Sequence, residues 1–287
     1  MDENIRIIRL NRNLKHLNNV YEKGLLEEDI YNILNDMIKS CISNLDKFLS
    51  GFRLNSYNNK SKKNKNNINN NFKNNIKNHN LNKNKINDNK CIIAFSGGID
   101  SVSSSIISKY IFKEVIGLTV YSPEIMDSGN LKNIENLSKR LGIDWKYITI
   151  SMEDIEKDTI NGIYHPCGRC HKVIEDTVLN YGKKNNIKYI IFGDLLAIGP
   201  MSIMDYNNEI IRINLPSLLS LTKDDNKKIL LQNGIKISQN YSCPLLKKSY
   251  RFQRNKKFTI QRILREVRAQ VLSEKDGFKN IMEVLNG

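Results

Sequence analysis

Between Cys91 and Phe192, short apolar runs alternate with longer stretches of helical periodicity, and this alternation restricts the fold more than any other feature of the chain. Cys91–Phe95, Val115–Tyr121, Trp145–Ile150 and Tyr189–Phe192 have the length and β-branched or aromatic content of buried strands. Between them, the spacing of apolar residues predicts helices over Ser101–Phe112, Leu131–Leu141 and Arg169–Lys184. Repeated strand–helix–strand units close by right-handed crossovers into a parallel sheet with helices on both faces. The expected class is therefore α/β, a doubly wound parallel sheet, and ligands of such sheets bind beyond the carboxyl ends of the strands.

The flanks read differently. Leu26, Ile30, Ile33, Leu34, Met37, Ile38, Cys41, Ile42, Leu45, Phe48 and Leu49 keep helical spacing, and a weaker pattern runs from Ile5 to Tyr21, so residues 1–53 read as a helical hairpin turning at Gly24. Residues 54–90 read as a linker: positions 55–90 hold 17 Asn and nine Lys in 36 residues, without apolar period. It is either a plain connection of biased composition or a basic arm for RNA phosphates. Residues 91–245 form the sheet domain and 246–287 a basic helical end. The net charge of +15 lies almost wholly in two places, since residues 55–90 and 247–268 each carry nine basic residues against one acidic. No apolar run is long enough to cross a bilayer and the N-terminus lacks a signal-peptide core, so the expectation is a cytoplasmic protein with no membrane partner.

Ser96-Gly97-Gly98-Ile99-Asp100-Ser101 joins the first strand to the first helix of the sheet domain. Adjacent glycines let backbone N–H groups approach an anion, and the helix N-terminus adds partial positive charge. Ser96 and Ser101 can donate hydroxyl hydrogen bonds to phosphate. Asp100 needs a cation such as Mg²⁺ beside phosphate, or else a hydrogen bond that shapes the loop. Neither a Walker A pattern nor GxGxxG occurs.

Five cysteines in a cytosolic-type sequence argue for metal or thiol chemistry where they cluster, and Cys167-Gly168-Arg169-Cys170 is such a cluster. Cys41 and Cys91 fall in apolar runs and read as inert core. Gly168 is expected to allow a tight turn, and Arg169 to favour thiolates. With the distant Cys243, three readings stand: a zinc site completed by His165 or His171, a redox dithiol, or sulfur transfer through a cluster or persulfide.

The hexapeptide resembles the SGGxDS motif of the PP-loop ATP pyrophosphatases, with an adenine nucleotide alpha hydrolase-like fold, over roughly residues 90–245. Gly193-Asp194 and the segment Asn214–Lys223 are similar to further nucleotide-facing parts of those enzymes. A PP-loop followed by Cys-x-x-Cys and a third cysteine resembles the tRNA 2-thiocytidine and 2-thiouridine synthetases. The resemblance implies ATP and Mg²⁺ at Ser96, Gly97, Gly98, Asp100, Ser101, Gly193 and Asp194. It also implies a [4Fe-4S] cluster on Cys167, Cys170 and Cys243, with zinc as the alternative. The implied reaction adenylates a pyrimidine carbonyl of tRNA, with release of pyrophosphate, and sulfur then displaces AMP; Asp100 and the three cysteines are the catalytic candidates. A sulfur donor and a second copy of the chain are further candidate partners. Competing readings are a PP-loop sulfurtransferase or amide-forming synthetase acting on a small molecule, and a non-catalytic zinc module that binds RNA.

In the basic end, Ile260, Ile263, Leu264, Val267 and Val271 are expected on one helical face, with Thr259 as N-cap and Arg262, Arg265 and Arg268 elsewhere. This segment begins four residues after Cys243, which makes it the preferred RNA-facing patch, with Tyr250, Phe252 and Phe258 as stacking or core residues.

Overall fold

The computed structural model describes residues 1–54, 89–238 and 240–287; the linker reading falls almost entirely outside them. Among the described residues, six strands form one sheet: β1 (Lys90–Ala94), β2 (Glu114–Tyr121), β3 (Asp144–Thr149), β4 (Tyr189–Phe192), β5 (Ile203–Tyr206) and β6 (Ile210–Asn214). Their order is β3-β2-β1-β4-β6-β5, all parallel except the edge strand β5, which runs antiparallel to β6. The chain moves outward from β1 to β3, then returns to the other side of β1 with β4. The reversal of winding between β1 and β4 opens a crevice at their carboxyl ends.

Helices α1 (Glu3–Glu22), α2 (Glu28–Ser43) and α3 (Leu45–Ser50) precede the sheet. Then come α4 (Ile99–Ser108), α5 (Ser128–Leu141), α6 (Glu153–Ile160), α7 (Cys167–Lys184), the single turn α8 (Leu215–Leu218), α9 (Lys223–Gln232), α10 (Pro244–Ser249), α11 (Gln253–Arg268) and α12 (Glu274–Asn286). Along β1 successive side chains face opposite ways. Cys91 and Ile93 join a core shared with α1–α5 and α9, whereas Ile92 joins a second core beneath α7 with Ile116, Leu118, Val178 and Ile190.

Three sequence expectations change. The pattern from Leu26 to Leu49 is not one helix: it breaks at Asn44, whose extended backbone (φ −163°) and side-chain oxygen, accepting from the Lys47 N–H at 2.8 Å, start α3 anew. Strands β5 and β6 escape a pattern search, because Asp205 and Arg212 interrupt their apolar runs. Their three-residue connection is nonetheless encoded by Asn207-Asn208, both left-handed (φ 56° and 60°), at the centre of a turn closed by the Glu209 N–H on the Tyr206 carbonyl at 3.1 Å. Thr259 is buried mid-helix in α11, its hydroxyl spent on the Asn255 carbonyl, and caps nothing.

The N-terminal hairpin is built into the core rather than appended to it. Leu10, Leu17, Ile30, Leu34 and Phe48 pack in the same apolar cluster as Ile191, Ile211 and Leu218. Arg6 pairs with Asp225 at 3.0 Å, both nearly buried, and the fully buried Asn13 donates to the Ser217 and Leu218 carbonyls and accepts from the Gly199 N–H at 2.7 Å. Asn13→Ala would strand these groups in a dry core. The expected loss is about 2–4 kcal/mol by urea unfolding, and a loss below about 0.5 kcal/mol would show that the contacts are dispensable.

Candidate active site

Ser96–Ser101 leaves β1 and enters α4 at the crevice. Gly97 has φ +72°, and a Cβ there would meet Ile134 Cγ1 at 2.7 Å, so conformation and space both require glycine. The Ser96 hydroxyl accepts from the Gly98 N–H at 3.3 Å and lies 3.2 Å from the Ser101 hydroxyl, which donates to the Gly98 carbonyl at 3.0 Å. The turn is thus tied from inside, with the N-terminus of the ten-residue α4 behind it.

Of the two roles expected for Asp100, the hydrogen-bonded one is present. Its carboxylate accepts from Lys223 Nζ at 2.5 Å and Asn226 Nδ2 at 2.9 Å, and Asn226 in turn accepts from Ser103 at 3.0 Å. Lys223 and Asn226 lie on the first turn of α9, so this clamp fixes α4 against α9 and brings a lysine to the loop. Sequence reading reached Lys223 only as the end of a segment and missed Asn226.

Gly193 follows β4 and lies against the loop: a Cβ there would stand 3.2 Å from the Asp100 and Ser101 backbone. Asp194 is held from several sides. Its carboxylate accepts from Arg212 at 2.7 Å and lies 3.8 Å from His171, while its carbonyl accepts from the Ser217 hydroxyl at 2.6 Å. Burial works to raise the Asp194 pKa, but the neighbouring His171 and the Arg212 charge outweigh it and hold the carboxyl below its ordinary value. Arg212, missed in the sequence, also pairs with Glu175 at 2.7 Å and lies 4.1 Å over the Phe192 ring. A charge inside the otherwise apolar Ile210–Asn214 was the available signal.

Cys167 and Cys170 open α7, and Cys243 is the N-cap of α10, its sulfur accepting from the Leu246 N–H at 3.4 Å. Cys243 packs in one apolar cluster with Cys167 and in another with Cys170, so the three thiols meet where α7, α10 and α11 converge. Burial chiefly, and then the other two sulfurs, push Cys170 up to about 12; burial likewise raises Cys167, against the Arg262 charge. The expected thiolate-promoting field of Arg169 does not prevail, because that side chain pairs with Asp158 at 3.1 Å and lies over Tyr164. Gly168 sits in the first turn of α7 with no left-handed backbone and open space around it, so no tight turn depends on it. Cys41 and Cys91 are buried and far up in pKa through desolvation, as core thiols should be.

Helix α11 joins the two halves of the site. The Arg262 charge favours the Cys167 thiolate, its Nε lies 3.7 Å from the Glu266 carboxylate, and its own charge is favoured by Tyr241, Cys167, Glu266 and Asp194 against the cost of burial. Glu266, one turn on, lies among Arg262, Lys223 and Asp100, and burial raises its pKa. The sequence assigned Arg262 to a face away from the core; the close approach of α11 makes it part of the site. Glu266 is the single acid among nine basic residues, which was the legible trace of a special surrounding. The two histidines diverge: His165 Nε2 is 2.9 Å from Thr259, whereas His171 faces Asp194. Among the described residues, no three His, Cys, Asp or Glu side chains stand in a preformed metal-binding arrangement.

No family model matches the chain. It is 49% identical over 197 residues to "Uncharacterized protein MJ1638" of Methanocaldococcus jannaschii, a match covering 69% of this chain and 75% of that protein. The chain belongs to the MJ1638 family. A second protein of that organism, MJ1599, is 29% identical over 140 residues, 49% of this chain and 50% of its own length. The SGGIDS loop is seated between a central parallel strand and its helix. Solved structures with partial overlap include the NMN synthetase of Francisella tularensis (TM-score 0.37, 15% identity, 53% of this chain and 64% of that one). Another is the U34-tRNA thiolase NcsA of Methanococcus maripaludis with its [4Fe-4S] cluster (TM-score 0.40, 14% identity, 70% of this chain and 72% of that one). No helix among the described residues of the MJ1638-family chain is long and apolar enough to cross a membrane.

Proposed function

We propose that this chain is an ATP-dependent RNA sulfurtransferase that adenylates a pyrimidine carbonyl and replaces its oxygen with sulfur. The observation that carries this reading is the convergence of two chemistries at one crevice: a phosphate loop packed against Gly193-Asp194, and a cysteine pair whose neighbour His171 stands 3.8 Å from Asp194. A carbonyl oxygen is a poor leaving group. Attack of that oxygen on the α-phosphorus of ATP forms an O–P bond, expels pyrophosphate and turns the oxygen into part of a leaving phosphate. Hydrosulfide then adds to the base carbon and AMP departs with the oxygen. Where a cysteine persulfide adds instead, a second of the three thiols must attack the sulfur of that cysteine, breaking the S–S bond, releasing the thiolated base and leaving a protein disulfide.

The loop N–H groups and Lys223 serve as donors to phosphate oxygens, positioned before reaction. Asp100 holds Lys223 at the loop, and Gly193 lets the second loop close against it. Burial and neighbouring sulfurs raise Cys167 and Cys170, so a cation beside them would favour their thiolates. Three cysteine donors around shared apolar packing have the chemistry of a metal centre, although they do not stand preformed for one. Cys167, Cys170 and Cys243 would hold a [4Fe-4S] cluster, which when bound supplies an iron without a protein ligand and open to sulfide. Arg262 keeps positive charge between the sulfurs and Asp194.

The test is incubation of protein purified without oxygen with ATP, Mg²⁺, sulfide and unfractionated tRNA. Stoichiometric AMP, pyrophosphate and thiolated nucleoside are expected; ADP and phosphate, or AMP without any sulfur-containing nucleoside, would overturn the assignment. Arg265 and Arg268 are exposed on α11. Their joint replacement by Gln should weaken tRNA binding and flatten its log–log salt dependence by about one unit per lost phosphate contact. An unchanged slope would remove this helix from the RNA surface.

A further inference from the structure

Of Tyr250, Phe252 and Phe258, the three aromatic residues of the charged segment nearest the cysteines, Phe258 is the one open to a ligand. Tyr250 is 2% exposed and bonded to Ser242, and the Phe252 ring lies so close to Gly162 that a Cβ there would meet it at 2.6 Å. Phe258 is half exposed. Its ring stands edge-on to His165, with centroids 6.4 Å apart. His165 is itself fixed: Nε2 lies 2.9 Å from the Thr259 hydroxyl, and Nδ1 accepts from the Cys167 N–H at 3.4 Å. The aromatic face is thereby braced against the residue that begins the cysteine site. Arg262 follows four residues later, on the same side of α11 and about 6 Å further along its axis. Its Nε lies 3.7 Å from the Glu266 carboxylate, and its charge favours the Cys167 thiolate.

An exposed aromatic face braced on His165, followed one turn later by a guanidinium beside Glu266, matches the order of groups in an unstacked nucleotide. Lys257, Gln261 and Arg265 are exposed along the same helix, as a surface that tracks a phosphodiester chain requires. We propose that Phe258 and Arg262 form the acceptor subsite, in which an extruded single-stranded base stacks on Phe258 while Arg262 binds its phosphate-bearing side. The subsite rests on the sulfurtransferase reading for its purpose, but not for its chemistry, which is that of any single-stranded RNA ligand. A base held there lies beside His165, which accepts from the Cys167 N–H and so borders the cysteine cluster.

The test uses the full chain and a single-stranded oligoribonucleotide carrying 5-bromouracil. After irradiation, the adducted peptide is identified by mass spectrometry and is expected to contain Phe258. Phe258→Ala should weaken binding of the same oligonucleotide about tenfold or more, and Phe258→Trp should restore it. Phe258→Leu keeps apolar volume against His165 but lacks an aromatic face, so it should bind like the alanine variant. Arg262→Gln should lower the salt slope by about one unit. With tRNA, Phe258→Ala should raise KM far more than it lowers kcat. Unchanged affinity in both Phe258→Ala and Phe258→Leu, with adducts confined to other surfaces, overturns the subsite even if thiolated tRNA is produced. Adducts at Phe258 in a protein that makes no thiolated product keep the subsite and sink the sulfur-transfer reading instead.

Discussion

Replacing any one of Cys167, Cys170 or Cys243 with Ala is expected to reduce thiolation to background, and replacing all three should do no further harm. Groups that act as one unit lose their function together, so single and triple variants converge. The clustering of three half-buried sulfurs, with Cys243 packed beside both Cys167 and Cys170, is the physical ground for treating them as a unit. Cys41→Ala and Cys91→Ala should leave transfer intact, because both thiols sit in the apolar core on the far side of the sheet from α7. Metal analysis separates the chemistries. Protein prepared without oxygen should be brown with about four irons per chain and should bleach in air. Colourless protein with stoichiometric zinc, released by His165→Ala, would end the cluster proposal. Metal-free protein that still thiolates would assign the sulfur to a persulfide on these thiols.

The second large effect is expected at Lys223. Lys223→Ala should lower AMP formation about a hundred- to a thousandfold, the usual loss when a preorganised donor to a developing oxyanion is removed. Asp100→Asn should cause a comparable loss, since it releases the lysine from its 2.5 Å contact and weakens the α4–α9 clamp. The double variant should be little worse than either single one, because each removes the same interaction. Initial rates of AMP and pyrophosphate release measure this directly. Should Lys223→Ala lower the unfolding midpoint yet form AMP at the full rate, the lysine is a strut between helices and not a phosphate ligand.

Much of this site was readable from the chain, for reasons that differ between its parts. The hexapeptide Ser96–Ser101 is local: strand, turn and helix start are adjacent in sequence, so residue type and conformation constrain each other. Cys167 and Cys170 were equally visible because they share one helical turn. Arg212 was not, since strand patterns are read from apolar alternation, and a buried arginine balanced by Glu175 and Asp194 breaks that rule. Arg262 and Glu266 escaped for a third reason. A helical projection tells which residues share a face, but not which neighbour that face meets, and the meeting of α11 with the cysteines is a tertiary event. The break at Asn44 was obscured because the apolar stripe continues through it, Phe48 and Leu49 staying buried on either reading.

The placement of the N-terminal hairpin also sets a timetable for synthesis. Leu10, Leu17, Ile30 and Leu34 leave the ribosome early, yet their packing partners include Ile211, Leu218 and Ile229, some two hundred residues later. At usual elongation rates the hairpin's apolar stripe waits about 10–40 s for the surface that covers it. The first helices made are thus among the last to find their final contacts, and the loop supported by Asn13 and Ser217 takes shape only when nearly the whole chain has been made.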